Sequence, residues 1–229
     1  MVKSYYLKLS YFIILFGTGI ILSAFFIAII FTKKEKPFYF RYIFFFIILG
    51  LLISTNTIAN NNNTWLLNKK ISILIEQSLV LFQSLMLGLF FFEVLSKSMF
   101  LNRIKKLLFL SIIIQIILLL IVLTTNTEIK PAISSNLFFI FITLFYLKDL
   151  MNNKPTLKIV KSSAFWIVMG VFYSCCISFP VNLLMPFISK SNEYQNLRLQ
   201  IFSISNMSLL VLYIFIIKSY LCLKHLQNL

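Results

Sequence analysis

The sequence predicts an all-α integral membrane protein, a bundle of seven transmembrane helices. Of its 229 residues, 60% are hydrophobic and 12% are charged, whereas soluble domains carry about 25% charged residues. The mean hydropathy is +0.94. The apolar residues form continuous runs instead of alternating ones, which excludes a transmembrane β-barrel. The polar gaps are too short to hold a folded extramembrane domain, so we expect residues 1–229 to form one domain.

Each apolar run is long enough to cross the roughly 30 Å hydrocarbon core of a bilayer as a helix. In chain order, the predicted spans are 9–32, 39–60, 71–95, 107–124, 131–151, 163–189 and 200–223. The first span is longer than the apolar part of a signal peptide and ends in a lysine-rich stretch, so it is not a cleavable signal. The fifth begins at Pro131, where the missing N–H costs no hydrogen bond. Pro180 lies inside the sixth, and we expect it to bend that helix.

The basic residues between the spans predict the orientation of the chain. One side of the membrane receives seven Lys and Arg residues and the other receives fourteen. Cytoplasmic loops carry the excess of basic residues. We therefore expect the N-terminus outside, the C-terminus in the cytoplasm, and a location in the bacterial inner membrane. The net charge of +15 belongs to these loops, so we do not interpret it as a sign of nucleic-acid binding.

The residue patterns of enzymes and cofactor sites are absent from the sequence. There is one His, and no paired carboxylates, phosphate-binding loop or Cys-x-x-Cys motif. Lys218, near the end of the seventh span, has no deep acidic partner, which argues against retinal. We therefore expect no enzymatic activity, no metal site and no cofactor.

Polar residues inside the spans predict where a site lies, because each costs free energy in hydrocarbon unless it has a partner. In five spans they occupy the half nearest the outer surface, whereas spans one and four carry few and are expected to face lipid. We predict a water-accessible outer vestibule at this level. Its candidate ligand-binding residues are Glu76, Gln77, Gln83, Asn56, Asn136, Asn182, Asn206 and Tyr213.

Glu76 is the only acidic residue well inside a span. The start of its helix favours the ionised carboxylate, and partial burial favours the protonated acid. Gln83 follows by seven residues and so lies on the same helix face. We hypothesise that Glu76 anchors the vestibule and binds a cationic or hydrogen-bonding group. The alternative is that these polar residues only join helices, at about 0.6 kcal/mol each.

Short motifs in three spans carry a resemblance to a known group of proteins. They are Trp65-Leu66-Leu67-Asn68 before Ile73-Leu74-Ile75-Glu76, Phe90-Phe91-Phe92, Phe165-Trp166, Asn182-Leu183, and Asn206 with Tyr213. The chain resembles the short, stand-alone seven-span proteins of Bacteroidota, which are similar to the membrane-embedded sensor regions of some histidine kinases. The resemblance implies a sensory or regulatory role. Its matching positions are Trp65, Glu76, Trp166, Asn182, Asn206 and Tyr213.

Three functions remain open at this point. The first is a sensor that detects a small molecule or a membrane state through the vestibule. Because the chain ends a few residues after the last predicted span, we expect no output domain, so the signal would leave through a protein partner or a second copy. The second is a structural or assembly subunit of a membrane complex, and the third is a small transporter.

Overall fold

A computed structural model describes residues 2–30, 37–61, 69–96, 98, 101–125, 132–153, 159–188 and 195–227. This part of the chain folds into seven α-helices and contains no strand. The helices are α1 Val2–Ile30, α2 Phe40–Asn61, α3 Lys69–Val94, α4 Leu101–Thr125, α5 Ala132–Asn153, α6 Ser163–Ile188 and α7 Gln195–Gln227. The predicted all-α fold class is confirmed.

The helix bounds follow the apolar runs closely, with the largest differences at three N-terminal ends. Helices α1, α4 and α7 begin five to seven residues before the predicted runs. Their first turns are polar or basic, and a helix can extend past the hydrocarbon core where such residues are solvated. Hydropathy therefore marks the apolar part of each helix and not its full length.

Six of the described helices, α2 to α7, are long and apolar enough to cross a membrane. In α1 the apolar stretch found among the described side chains is Phe16–Ile30. The protein is therefore a multi-pass helical membrane bundle. Crossing by α1, and with it the seven-span topology and the orientation of the termini, stays a prediction.

Six helices form a closed ring, and α4 lies outside it. Contacts join α1 to α2, α2 to α3, α3 to α5, α5 to α6, α6 to α7, and α7 back to α1. Helix α4 packs on the outside of α3 and α5. It buries Leu108 and Gln115 on one face and exposes Phe109 and Ile117 on the other. The expectation that α4 faces outward is thus met by one face of the helix.

For α1 the same expectation is also met by one face only, which exposes Phe16, Phe26 and Ile30. Helix α1 packs against both α2 and α7, and it buries Ala24 and Ala28 completely. Gly17 also lies close to α7, where an added Cβ would stand 3.0 Å from Leu210. Small residues let helix backbones approach closely. Hydropathy does not separate such a packed apolar helix from one that faces lipid.

The two ends of the bundle differ in character. We call the end where α3, α5 and α7 begin the polar end, and the opposite end the aromatic end. At the aromatic end, Phe40 packs on Tyr220 with ring centroids 4.7 Å apart, and Tyr39 meets Phe90 at 5.6 Å. The Tyr39 hydroxyl lies 2.7 Å from Ser163 Oγ and joins the start of α2 to the start of α6. These contacts join the start of α2 to α3, α6 and α7 at that end.

Helix α6 continues without a break from Ser163 through Pro180 to Ile188. Pro180 therefore does not end the helix. Its side chain is exposed, so the ring points away from the bundle. The predicted bend at Pro180 stays a prediction.

Candidate functional site

A cavity of about 280 Å³ lies within the helix ring and extends toward the polar end. All six ring helices contribute side chains to it, and α4 contributes none among the described residues. Its polar lining residues are Thr18, Ser54, Thr57, Glu76, Gln77, Gln83, Ser84, Ser135, Asn136, Ser174, Ser178, Asn182, Ser205, Asn206 and Tyr213. The volume is near the lower limit of small-molecule pockets, which measure about 300–1,000 Å³.

The fold brings seven of the eight candidate residues together around this cavity. They are Glu76, Gln77, Gln83, Asn136, Asn182, Asn206 and Tyr213. Asn56 does not line it, although its side chain is buried. The next residue, Thr57, does line the cavity. Because successive residues of a helix turn by about 100°, Asn56 lies on the flank of α2.

The polar lining of the cavity ends near the level where α2, α3 and α7 meet, and we call this level the floor, although Leu87 and Val171 line the cavity beyond it. Gln83 Nε2 lies 3.4 Å from the Tyr213 hydroxyl and 3.4 Å from the Phe46 carbonyl oxygen. The Tyr213 ring also packs against the Phe46 ring, with centroids 6.0 Å apart. We call Gln83 and Tyr213 the floor pair. One side-chain amide thus links three helices.

Gly50 makes the space that the floor pair occupies. A Cβ atom at this position would overlap the Tyr213 hydroxyl and would lie 3.3 Å from Gln83 Nε2. Tyr213 is buried and cannot move aside into solvent. The position therefore requires a residue without a side chain.

A second layer of lining residues lies two helical turns nearer the polar end. Glu76 precedes Gln83 by seven residues, Asn206 precedes Tyr213 by seven, and Ile53 follows Phe46 by seven. Each step is about 10 Å along its helix and keeps the same face. All three residues line the cavity. We call Ile53, Glu76 and Asn206 the upper layer.

Serine hydroxyls join α6 to α7 beside the cavity. Ser208 Oγ donates to the Ser205 carbonyl oxygen at 2.7 Å, and Ser178 Oγ lies 2.9 Å from Ser208 Oγ. Because the Ser208 proton is used in the first bond, Ser178 is the donor in the second. These residues hold the two helices together, and Asn206 lies next to them on α7.

Asn206 Nδ2 is buried and has no hydrogen-bond partner among the described residues. A buried amide N–H₂ without a partner is costly, at about 1–3 kcal/mol. Its side chain lines the cavity. A bound water or ligand with an acceptor atom would satisfy this group.

Among the described residues, the cavity lining contains a single charged residue. Glu76 is the only Asp, Glu, Lys or Arg among its lining residues. Nowhere in the described part of the chain do three or more His, Cys, Asp and Glu residues group as metal ligands do. Buried Cys175 lines the cavity, whereas Cys176 is exposed. The arrangement can hold a small neutral or cationic molecule by hydrogen bonds and one carboxylate.

Several cavity-lining residues were not predicted from the sequence. Gly17, Thr18 and Ile21 of α1 line the cavity, as do Leu87 and Val171 deeper in the bundle. The sequence signal that could have indicated α1 is the pair Gly17, which has no side chain, and Thr18, which is small and polar, within an apolar run.

Of the two tryptophans of the sequence resemblance, the described one, Trp166, does not line the cavity. Trp65 lies outside the described residues. Trp166 lies at the aromatic end, where its Nε1 donates to the Val160 carbonyl oxygen at 2.8 Å. Lys218 Nζ stands 5.1 Å from the Trp166 ring centroid.

No protein-family model matches the chain, and searches of the curated proteins and of the solved structures also return no match. The resemblance to sensor regions of Bacteroidota therefore stays a prediction.

Proposed function

We propose that the protein is a membrane-embedded receptor that binds a small ligand in the cavity and relays binding to a partner protein. One observation carries the proposal: the cavity is lined by all six ring helices. A molecule that fills the cavity would contact every helix of the ring, and it would favour whichever helix arrangement it binds more tightly. The sequence resemblance to membrane-embedded sensor regions supports the same role.

The polar chemistry of the upper layer favours a ligand over purely structural bonding. Amides that only join helices would satisfy one another, but the buried Nδ2 of Asn206 has no partner among the described residues. Glu76 supplies a carboxylate to the same space. In membrane proteins, an ionisable residue within a span defaults to a functional hypothesis.

Helices α2 and α7 offer a physical route for the relay. Phe46 packs on Tyr213 at the cavity floor, and Phe40 packs on Tyr220 near the aromatic end. These two aromatic contacts lie about two turns apart on both helices. Tyr213 and Tyr220 lie on the same continuous helix, so a small shift of α7 at the cavity would also move Tyr220. Packed cores change between discrete arrangements and do not deform continuously.

The proposed setting is the bacterial inner membrane, with the cavity open to the outside and the aromatic end in the cytoplasm. The lysine and arginine count supports this orientation. In this setting the cytoplasmic end would contact the protein partner or a second copy. We propose no enzymatic activity and no cofactor for the chain.

The assembly-subunit alternative is favoured by the Ser178–Ser208 bond, which joins two helices without a ligand. The two functions make different predictions. A receptor binds small molecules in its cavity and changes at the aromatic end, whereas an assembly subunit does neither. Among the described residues, no feature specifically favours the transporter.

The test uses the full chain in nanodiscs with spin labels at Lys161 and Leu221, after the native cysteines are replaced by Ser. Both positions are exposed at the aromatic end. A library of amines, amino acids and polyols is screened for a shift in thermal unfolding temperature. We expect a stabilising compound to change the distance between the labels. If compounds bind and the distance stays fixed, there is no relay; if none binds, the receptor proposal fails.

A further inference from the structure

We propose that the ligand is a small organic amine that carries a short apolar chain. The ammonium group would lie at the upper layer and the chain would point toward the floor pair. This inference rests on the proposed receptor function, and it names the class of ligand that the same cavity would take.

The negative charge of the cavity lining favours a cationic ligand. Glu76 is its only acidic residue, and no Lys or Arg lines it. A carboxylate in a site of low dielectric attracts a nearby ammonium group more strongly than it would in water. The same carboxylate repels a ligand carboxylate. An amine is therefore favoured over an acid of the same size.

The upper layer provides hydrogen bonds around the carboxylate. The lining residues Ser54 and Gln77 directly follow the upper-layer residues Ile53 and Glu76, and Asn206 is itself in the upper layer. Hydroxyl and amide oxygens accept hydrogen bonds from an ammonium group, which has three N–H donors when the amine is primary. The Ser54 hydroxyl and the amide oxygens of Gln77 and Asn206 are acceptors for the ammonium group, whereas Asn206 Nδ2 is itself a donor and would be satisfied by a water beside the ligand.

Below the upper layer, much of the cavity lining consists of apolar side chains. Val80 and Leu210 lie between the upper layer and the floor pair, and Leu87 lies past the floor pair on α3. Leu87 follows Glu76 by eleven residues, which is about 16 Å along the helix. The cavity is therefore deeper than a single ammonium group requires. An alkyl chain fits this depth because it buries apolar surface against these residues.

The proposal is tested with n-hexylamine, ethylamine, hexan-1-ol and hexanoate. Each probe is titrated into the full chain in phosphatidylcholine nanodiscs, and binding is measured by calorimetry. The Val80→Phe variant places a larger side chain in the cavity. Heat that remains in this variant comes from partition of the probe into lipid, and heat that is lost comes from binding in the cavity. We expect hexylamine to bind at least tenfold more tightly than hexan-1-ol and hexanoate. We also expect it to bind at least tenfold more tightly than ethylamine, since a fully buried methylene adds about fourfold.

Two α3 variants test the role of the carboxylate. Glu76→Gln keeps the shape and removes the charge, and it should weaken hexylamine binding at least tenfold. Glu93→Gln is the matched control, because Glu93 is exposed on the same helix and does not line the cavity. It should bind hexylamine like the wild type. The comparison of hexylamine with hexan-1-ol on the wild type needs no variant, so the proposal remains testable if Glu76→Gln does not fold.

The outcomes separate this proposal from the receptor function. If hexan-1-ol or hexanoate binds as tightly as hexylamine and Val80→Phe abolishes that binding, the cavity is a ligand site but the amine class is wrong. If Glu76→Gln binds hexylamine like the wild type, the amine proposal is also overturned. If no probe binds at millimolar concentration, the amine is excluded and the library screen decides the receptor function. If hexylamine binds Val80→Phe as tightly as the wild type, that binding lies outside the cavity and the amine proposal fails, while the library screen still decides the receptor function.

Discussion

The amide nitrogen of Gln83 and the hydroxyl of Tyr213 lie 3.4 Å apart at the cavity floor, although 130 residues separate them in the chain. Gly50 of α2 lies against this pair, so three helices are fitted to one another at a single point. The same helices carry the upper layer two turns away. The floor pair thus connects ligand-binding positions to the packing of the bundle.

Gly50→Ala should destabilise the protein by about 1–3 kcal/mol, the usual effect of overpacking a core. The added methyl group would overlap the Tyr213 hydroxyl, which is buried. The measurement is the thermal unfolding temperature in detergent. Gly19→Ala is the control, because no atom lies within 4 Å of a Cβ there. Equal effects of the two substitutions would show that Gly50 does not hold space for Tyr213.

Tyr213→Phe should cost about 0.6 kcal/mol, the average for a hydrogen bond inside a membrane protein. It removes the hydroxyl but keeps the ring that packs on Phe46. Gln83 Nε2 keeps the Phe46 carbonyl oxygen as an acceptor, which limits the loss. Unfolding by a denaturing detergent measures the change. Tyr173→Phe provides the comparison, since Tyr173 is 51% exposed and should show no change.

Ser178→Ala tests whether the bond between α6 and α7 is structural. Ser178 donates to Ser208 in a buried contact of 2.9 Å, so its loss should lower stability by about 0.6 kcal/mol. Ser178 lines the cavity, but its hydroxyl proton is used in this bond without a ligand, so hexylamine affinity should change less than threefold. Asn206→Ala should do the opposite, with little loss of stability and weaker binding. A large loss of affinity in Ser178→Ala would place the serine bond in the ligand site.

The orientation is tested by cysteine labelling in a chain whose three native Cys are replaced by Ser. The two labelling sites are Ser54→Cys and Lys161→Cys. Ser54 lines the cavity, and Lys161 is exposed at the aromatic end. We expect a membrane-impermeant cationic thiol reagent added to spheroplasts to label position 54 and not position 161. The reagent reaches only the outer face, which the charge count assigns to the polar end. Labelling at position 161 alone would invert the predicted topology.

The sequence by itself determined the helices and much of the cavity lining. A segment within hydrocarbon must satisfy its own backbone hydrogen bonds, so an apolar run of sufficient length specifies a helix with no reference to its neighbours. Polar spacing then predicted a shared face, as for Glu76 and Gln83, which both line the cavity. These features depend on local sequence, and local sequence was enough to find them.

Only the tertiary structure decided which helices meet and what fills the space between them. It placed α1 in the ring, turned Asn56 to the flank of α2, and set Gly50 against Tyr213. Lipid chains and apolar side chains solvate a helix almost equally well, so hydropathy cannot tell a packed face from a lipid-facing one. Close packing depends instead on the shapes of residues distant in sequence, such as Gly17 and Leu210, and those shapes meet only in the folded bundle.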